Sequence, residues 1–114
     1  MRTGDPSSIK AAALMSFTKA LGGRSLDHGV RVVAVNPGPV ATDRMLKIMK
    51  RKAIDMLSDE DRWEELFDKY PGKRPATSEE VADLVAFLSS PRAGYITGTV
   101  VTIDGGIAAR GSVI

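Results

Sequence analysis

The chain has 114 residues, 43% of them hydrophobic and 26% charged, which is ordinary composition for a single globular domain at most. Its net charge of +2 is too small to argue for a nucleic-acid partner, and the absence of cysteine excludes disulfides and thiolate metal sites. No apolar run approaches the ~18 residues a membrane span needs. The first ten residues hold no signal-peptide core, and the lack of cysteine fits a soluble, cytoplasmic chain.

Residues 1–7 are polar, with Gly4 and Pro6, and read as loop. Ser7 or Ser8 can cap a helix predicted over residues 8–22. Ile9, Ala13, Phe17, Ala20 and Leu21 recur at spacings of three and four, the period of an amphipathic helix. Gly22-Gly23 is expected to end it. Residues 30–35 form a predicted strand, apolar except for Arg31, with no clean alternation. That pattern predicts a parallel strand covered on both faces.

The turn Asn36-Pro-Gly-Pro-Val-Ala-Thr42 follows. Pro37 and Pro39 fix φ and remove two donors, while Gly38 permits close approach or positive φ. Val40 keeps its N–H and Thr42 adds a hydroxyl, so the turn can aim donors at a planar amide. It also reads as a plain strand-to-helix turn.

Residues 43–70 are helical in tendency. Met45, Leu46, Ile48 and Met49 make a loose apolar stripe beside Lys47, Lys50, Arg51 and Lys52. This basic cluster is short and acidic residues follow it, so no nucleic-acid binding is expected. A second helical piece, roughly 58–69, carries Trp63, Leu66 and Phe67 on one side, and Tyr70-Pro71-Gly72 stops it. Residues 71–76 read as loop.

Thr77-Ser78-Glu79-Glu80 is a capping box that opens a helix over 78–89, with Val81, Leu84, Val85 and Leu88 at helical spacing and Pro91 beyond its end. Residues 99–103 form a β-branched strand closed by Asp104-Gly105-Gly106. Gly106 to Ser112 has the glycine spacing of a phosphate loop but no lysine, and is read as chance. Strands alternating with helices predict an α/β fold with a parallel sheet. Ligands of such sheets bind beyond the carboxyl ends of the strands, where residues 36–42 lie.

Three segments together resemble the short-chain dehydrogenase/reductase family. They are the 36–42 turn, "AAALMSFTKALG", and "SEEVADLVAFLSSPRAGYITGTVVTIDGG". The resemblance implies the C-terminal portion of a Rossmann-like, doubly wound parallel sheet, as one partial domain over residues 1–114. It also implies hydride transfer between NAD or NADP and a small-molecule carbonyl or alcohol. By that resemblance Pro37 and Gly38 shape the nicotinamide pocket, Val40 bonds the carboxamide through its backbone, and Thr42 bonds carboxamide or phosphate. Residues 43–70 would be the substrate lid. In such enzymes the helix at 8–21 packs against its copy in a partner subunit, so a homo-oligomer or an N-terminal half is the expected partner.

The sequence departs from the family in two ways. No Gly-rich dinucleotide fingerprint follows a first strand. The Tyr four residues before a Lys is absent: one alignment of the helix puts Ser7 and Ala11 at those positions, and a shift by one gives Lys10 but pairs it with Pro6. Lys10 is a weak substitute, better read as a solvated lysine. Tyr70 and Tyr95 lie elsewhere, His28 has no partner cluster, and no metal site is expected. The family's catalytic Ser would precede Met1. The expectation is therefore a truncated oxidoreductase, inactive alone. The alternative is a non-catalytic module for interaction or oligomerisation.

Overall fold

A computed structural model describes residues 6–110, with side chains described from Ile9 on. The elements are α1 (Pro6–Ser25), β1 (Val33–Pro37), α2 (Asp43–Leu57), α3 (Ser78–Ser89), β2 (Thr99–Ile103) and α4 (Ile107–Arg110), with short 3-10 segments between them. β1 and β2 pair in parallel as a two-stranded sheet. The α/β reading of the sequence is thus borne out, and the strand at 99–103 and the helix at 78–89 have their predicted bounds. The described residues form two compact units, 6–36 with 84–102 and 37–83 with 103–110.

In the first unit α1 departs from the sequence reading at its end and on its face. It does not stop at Gly22-Gly23 but runs to Ser25. Gly22 serves close packing instead: a Cβ there would stand 2.4 Å from the Gly98 nitrogen and 2.8 Å from the Val32 carbonyl oxygen. The Thr97 hydroxyl donates to the Gly22 carbonyl at 3.0 Å and locks the approach. The residues turned inward are Ala11, Met15, Thr18, Gly22 and Ser25, again at spacings of three and four. The predicted apolar stripe lies on the other side, with Ile9 63% and Phe17 59% exposed. Small side chains let α1 come close, so packing selected size over hydrophobicity. Thr18 tolerates burial because its hydroxyl donates to the Leu14 carbonyl at 2.7 Å.

The first strand begins at Val33, not Val30, and extends to Pro37. Residues 30–32 are held outside the ladder: Val30 N–H donates to the Ser25 carbonyl and Val32 N–H to the Thr97 hydroxyl. Arg31 turns its guanidinium to the end of α3 and donates to the carbonyls of Leu88 (2.7 Å), Ser90 (3.3 Å) and Ile96 (3.5 Å). The Leu88 and Ser90 carbonyls are at the end of α3, where a helix leaves carbonyls without partners and a cation satisfies them; the Ile96 carbonyl belongs to the loop before β2. Full cover on both faces was expected, but no residue of either strand is fully buried. Two strands with the helices of this unit cannot close over both sheet faces.

In the second unit Thr42 caps α2, its hydroxyl accepting from Met45 N–H at 3.2 Å. Met49 and Ala53 are buried, while Ile48, expected in the apolar stripe, is 41% exposed because it falls on the outer side of the helix. Ser58 ends α2 in the left-handed region at φ 58°. The second helical piece is a 3-10 segment, Glu60–Phe67, rather than an α-helix over 58–69, and Arg62 breaks its helical geometry. Its anchor is Phe67, 1% exposed, with Trp63 and Tyr70 set edge-on at 6.4 and 4.9 Å between centroids. The capping box is present as predicted: Thr77 N–H donates to Glu80 Oε1 at 2.9 Å, and Glu80 N–H to the Thr77 hydroxyl at 3.1 Å.

Candidate functional site

The 36–42 turn is fixed from two sides. Gly38 N–H donates to the Ile103 carbonyl at 2.9 Å, so the chain stays in register with the end of β2. A Cβ on Gly38 would lie 2.8 Å from the Asp104 Cβ and 3.0 Å from its Cα. The glycine is therefore demanded by the neighbouring chain, and its φ is not positive, so the left-handed option raised by the sequence is not used. On the other side Ala76 N–H donates to the Pro39 carbonyl and Ala41 N–H to the Ala76 carbonyl, both at 2.8 Å, making a parallel bridge between Val40 and Ala76.

These bonds leave one donor over. Val40 N–H has no partner among the described residues, although Pro39, Ala41 and Thr42 on either side are all engaged. Val40 is half-buried, and a buried backbone N–H costs free energy unless a partner meets it. Thr42 is exposed, and its hydroxyl accepts from Met45 N–H, which leaves its own proton to donate. Pro37 is exposed and carries no donor. The Val40 N–H and the Thr42 hydroxyl proton are thus the donors this turn leaves uncommitted among the described residues.

A cavity of about 280 Å³ adjoins Pro39, lined by Pro71, Pro75, Ile103 and Ile107 with Arg74, Glu80 and Asp104 at its polar side. Its charges are already committed. Arg74 clamps Glu80 at 2.7 and 3.1 Å, and with the Thr77 N–H holds that carboxyl down to about 2. Asp104 accepts from Ala108 N–H at 2.9 Å and Gly106 N–H at 2.7 Å, and these bonds keep it below the usual carboxylate range. Both groups stay ionised near neutral pH and hold no proton to give. The cavity wall is structural rather than acid–base machinery.

The other residues singled out by sequence do not gather into a catalytic set. The Ser7 side chain, Gly111 and Ser112 lie outside the described residues. Ala11 is on the inner face of α1, Lys10 and His28 are exposed, Tyr70 packs on Phe67, and Tyr95 is 92% exposed. No group of three metal-ligating side chains occurs among the described residues. Among the described residues no helix is long and apolar enough to cross a membrane. Sequence reasoning missed Arg31 and the Ala76 bridge. The first carried a signal, a lone cation in a β-branched run; the second carried none, since a bridge to a loop leaves no local pattern.

Residues 6–108 match a family profile described as enoyl-(acyl carrier protein) reductase. The chain is 37% identical over 103 residues to an NADPH-dependent reductase of Bacillus subtilis, covering 87% of this chain and 39% of that protein. It is 36% identical over 94 residues to the galactitol 2-dehydrogenase of Cereibacter sphaeroides, covering 82% of this chain and 34% of that one. The L-sorbose reductase of Gluconobacter frateurii, solved with NADPH and L-sorbose, superposes with a TM-score of 0.76 at 35% identity, over 87% of this chain and 38% of that one. The chain therefore spans about two fifths of the length of these relatives, in their C-terminal part. With the turn, the capping box and the closing strand all in family order, this chain belongs to the short-chain dehydrogenase/reductase family.

Proposed function

We propose that the chain supplies the nicotinamide-facing turn of an NAD(P)-dependent oxidoreductase acting on a carbonyl or alcohol of a small molecule. The observation that carries this reading is the unpartnered N–H of Val40 in a turn otherwise tied down on both sides. NAD or NADP, when bound, supplies the hydride. Val40 N–H and the Thr42 hydroxyl hold the carboxamide edge, Pro37 and Gly38 shape the wall beneath the ring, and residues 43–70 cover the substrate. The residues that would grip the pyrophosphate or read the ribose 2′ position are not among those described, so the reading covers both cofactors. With Ala11 where the family has its Lys, and no Tyr in register, the chain alone turns over no substrate. We place it in the cytoplasm, where the reduced cofactor is held.

The test is saturation-transfer NMR of NADPH with the 114-residue chain. Nicotinamide ring protons are expected to receive saturation and adenine protons much less, because only the carboxamide end has partners here. Val40→Pro, which deletes the donor, is expected to abolish the nicotinamide signal. Equal signals from both rings, or an unchanged signal in Val40→Pro, would refute the reading.

A second reading, a non-catalytic interaction module, has its own support. The outer face of α1 exposes Ile9, Leu14, Phe17 and Leu21, an apolar stripe of the kind that marks an interface.

A further inference from the structure

The sheet has two strands, so the edge of β1 away from β2 has no partner among the described residues. The Val32 carbonyl accepts from Gly98 N–H, and Gly38 N–H donates to the Ile103 carbonyl. Even-numbered residues of this run thus turn their backbone groups toward β2, and Val33 and Val35 turn theirs to the open edge. Each offers an N–H and a carbonyl there. Pro37, next in that alternation, has no N–H to offer.

The open edge carries none of the usual blocks to pairing, which are charge, proline or a bulge. Val33, Ala34, Val35 and Asn36 are all uncharged. The cation before them, Arg31, is turned to the carbonyls of Leu88, Ser90 and Ile96. Beside the edge runs a trough of about 220 Å³, lined by Arg31, Val33, Val35, Val85, Leu88 and Ser89, all of the first unit. No residue of β2 lines it, so it lies on the outer side of β1. Val85 in its wall is 46% exposed.

This edge is complementary to itself. A second copy laid antiparallel, Ala34 opposite Ala34, sets Val33 against Val35 and Val35 against Val33. All four edge groups of each copy then pair. Centring the pair on Val35 would set Val33 against Pro37, which lacks the donor; centring it on Val33 would draw in Arg31, which lies outside the strand. Directly opposed residues share a sheet face, so the second copy's Val33 and Val35 fall on the side of the trough, with the strands about 4.8 Å apart. The two Arg31 residues stand about 20 Å from each other along the strands, too far to repel strongly in salt.

We propose that β1 is a homodimer edge, at which two copies join antiparallel through Val33 and Val35 into one four-stranded sheet and fill each other's trough. The surface is distinct from the α1 stripe, and the pairing does not depend on what the 36–42 turn binds.

The experiment is sedimentation equilibrium of the 114-residue chain carrying Phe17→Glu, which takes the α1 stripe out of play. A monomer–dimer equilibrium is expected to remain. Adding Val35→Pro removes an edge N–H from each copy and no bond to β2, and is expected to raise the dissociation constant at least about tenfold. Circular dichroism checks that this variant keeps its fold; if it unfolds, a thiol pair decides instead. The sequence has no cysteine, so a single introduced thiol reports the register. Ala34→Cys is expected to give a disulfide-linked dimer, because opposed residues without mutual hydrogen bonds stand about 4.5 Å apart at Cα. Asn36→Cys is expected to give none, its two copies lying about 14 Å apart along the strands. A Phe17→Glu chain that stays monomeric at every concentration would overturn the proposal and leave the edge to a strand from elsewhere. So would a dimer indifferent to a folded Val35→Pro, or crosslinking of Asn36→Cys as fast as that of Ala34→Cys.

Discussion

Single side chains decide much of how this chain holds together. Arg31 is a cation in an apolar run, and it donates to three carbonyls, those of Leu88 and Ser90 at the end of α3 and that of Ile96 in the loop before β2. Glu80 does two jobs, closing the capping box and clamping Arg74. Its carboxyl falls to about 2 from an ordinary value of 4.5. A folded pKa below the unfolded one adds stability that is complete above the unfolded value and is lost as pH falls through the folded one. Denaturant midpoints of the wild type are therefore expected to drop between about pH 4.5 and about pH 2, and Glu80→Gln to flatten part of that slope. A Glu80→Gln profile parallel to wild type would show that the clamp adds nothing in solution. Asp104, also held low by backbone N–H groups, contributes in the same direction and leaves a residual slope.

The elements differ in what specifies them. α3 is written locally: a capping box, apolar residues at helical spacing and a proline after the end all agree, and the helix has its predicted bounds. The 3-10 segment Glu60–Phe67 is specified by packing. Phe67 is its one fully buried large side chain, and the segment packs against α2. Phe67→Ala is expected to cost about 3–5 kcal/mol and to loosen this segment before α3. Hydrogen exchange would show it as faster exchange in residues 60–67 with α3 amides still protected; uniform acceleration would mean the two unfold together. At the end of α2, Ser58 occupies φ 58° without being glycine. Ser58→Gly is expected to stabilise by a few tenths to about 1 kcal/mol, read from the urea midpoint.

At the scale of the molecule, the sheet and α1 both present surface that the described residues do not cover. Two half-buried strands make a marginal sheet, and α1 turns Phe17 and Leu14 outward. Association through the α1 stripe is expected to appear in sedimentation equilibrium, and Phe17→Glu to shift it toward monomer without loss of helix content; an unchanged distribution would assign the stripe to another role. What was legible in the sequence was local. The 99–103 strand, the 78–89 helix and the Thr77–Glu80 box each follow from neighbours within a few residues. What sequence periodicity misjudged were three choices made between distant segments. It took Gly22 for a helix end, where the Gly98 chain needed its missing Cβ. It put the apolar residues of α1 on the working face, where close packing selected Ala11, Thr18 and Gly22. It left Gly38 free to serve a ligand or a positive φ, where Asp104 claims the space. By itself, then, the sequence determined the α/β order, the caps and the family, because these rest on short-range hydrogen bonds and spacing. The inward face of α1, the start of β1, and the N–H of Val40 that has no partner among the described residues were decided only by tertiary structure, because each depends on which backbone from elsewhere in the chain arrives beside it.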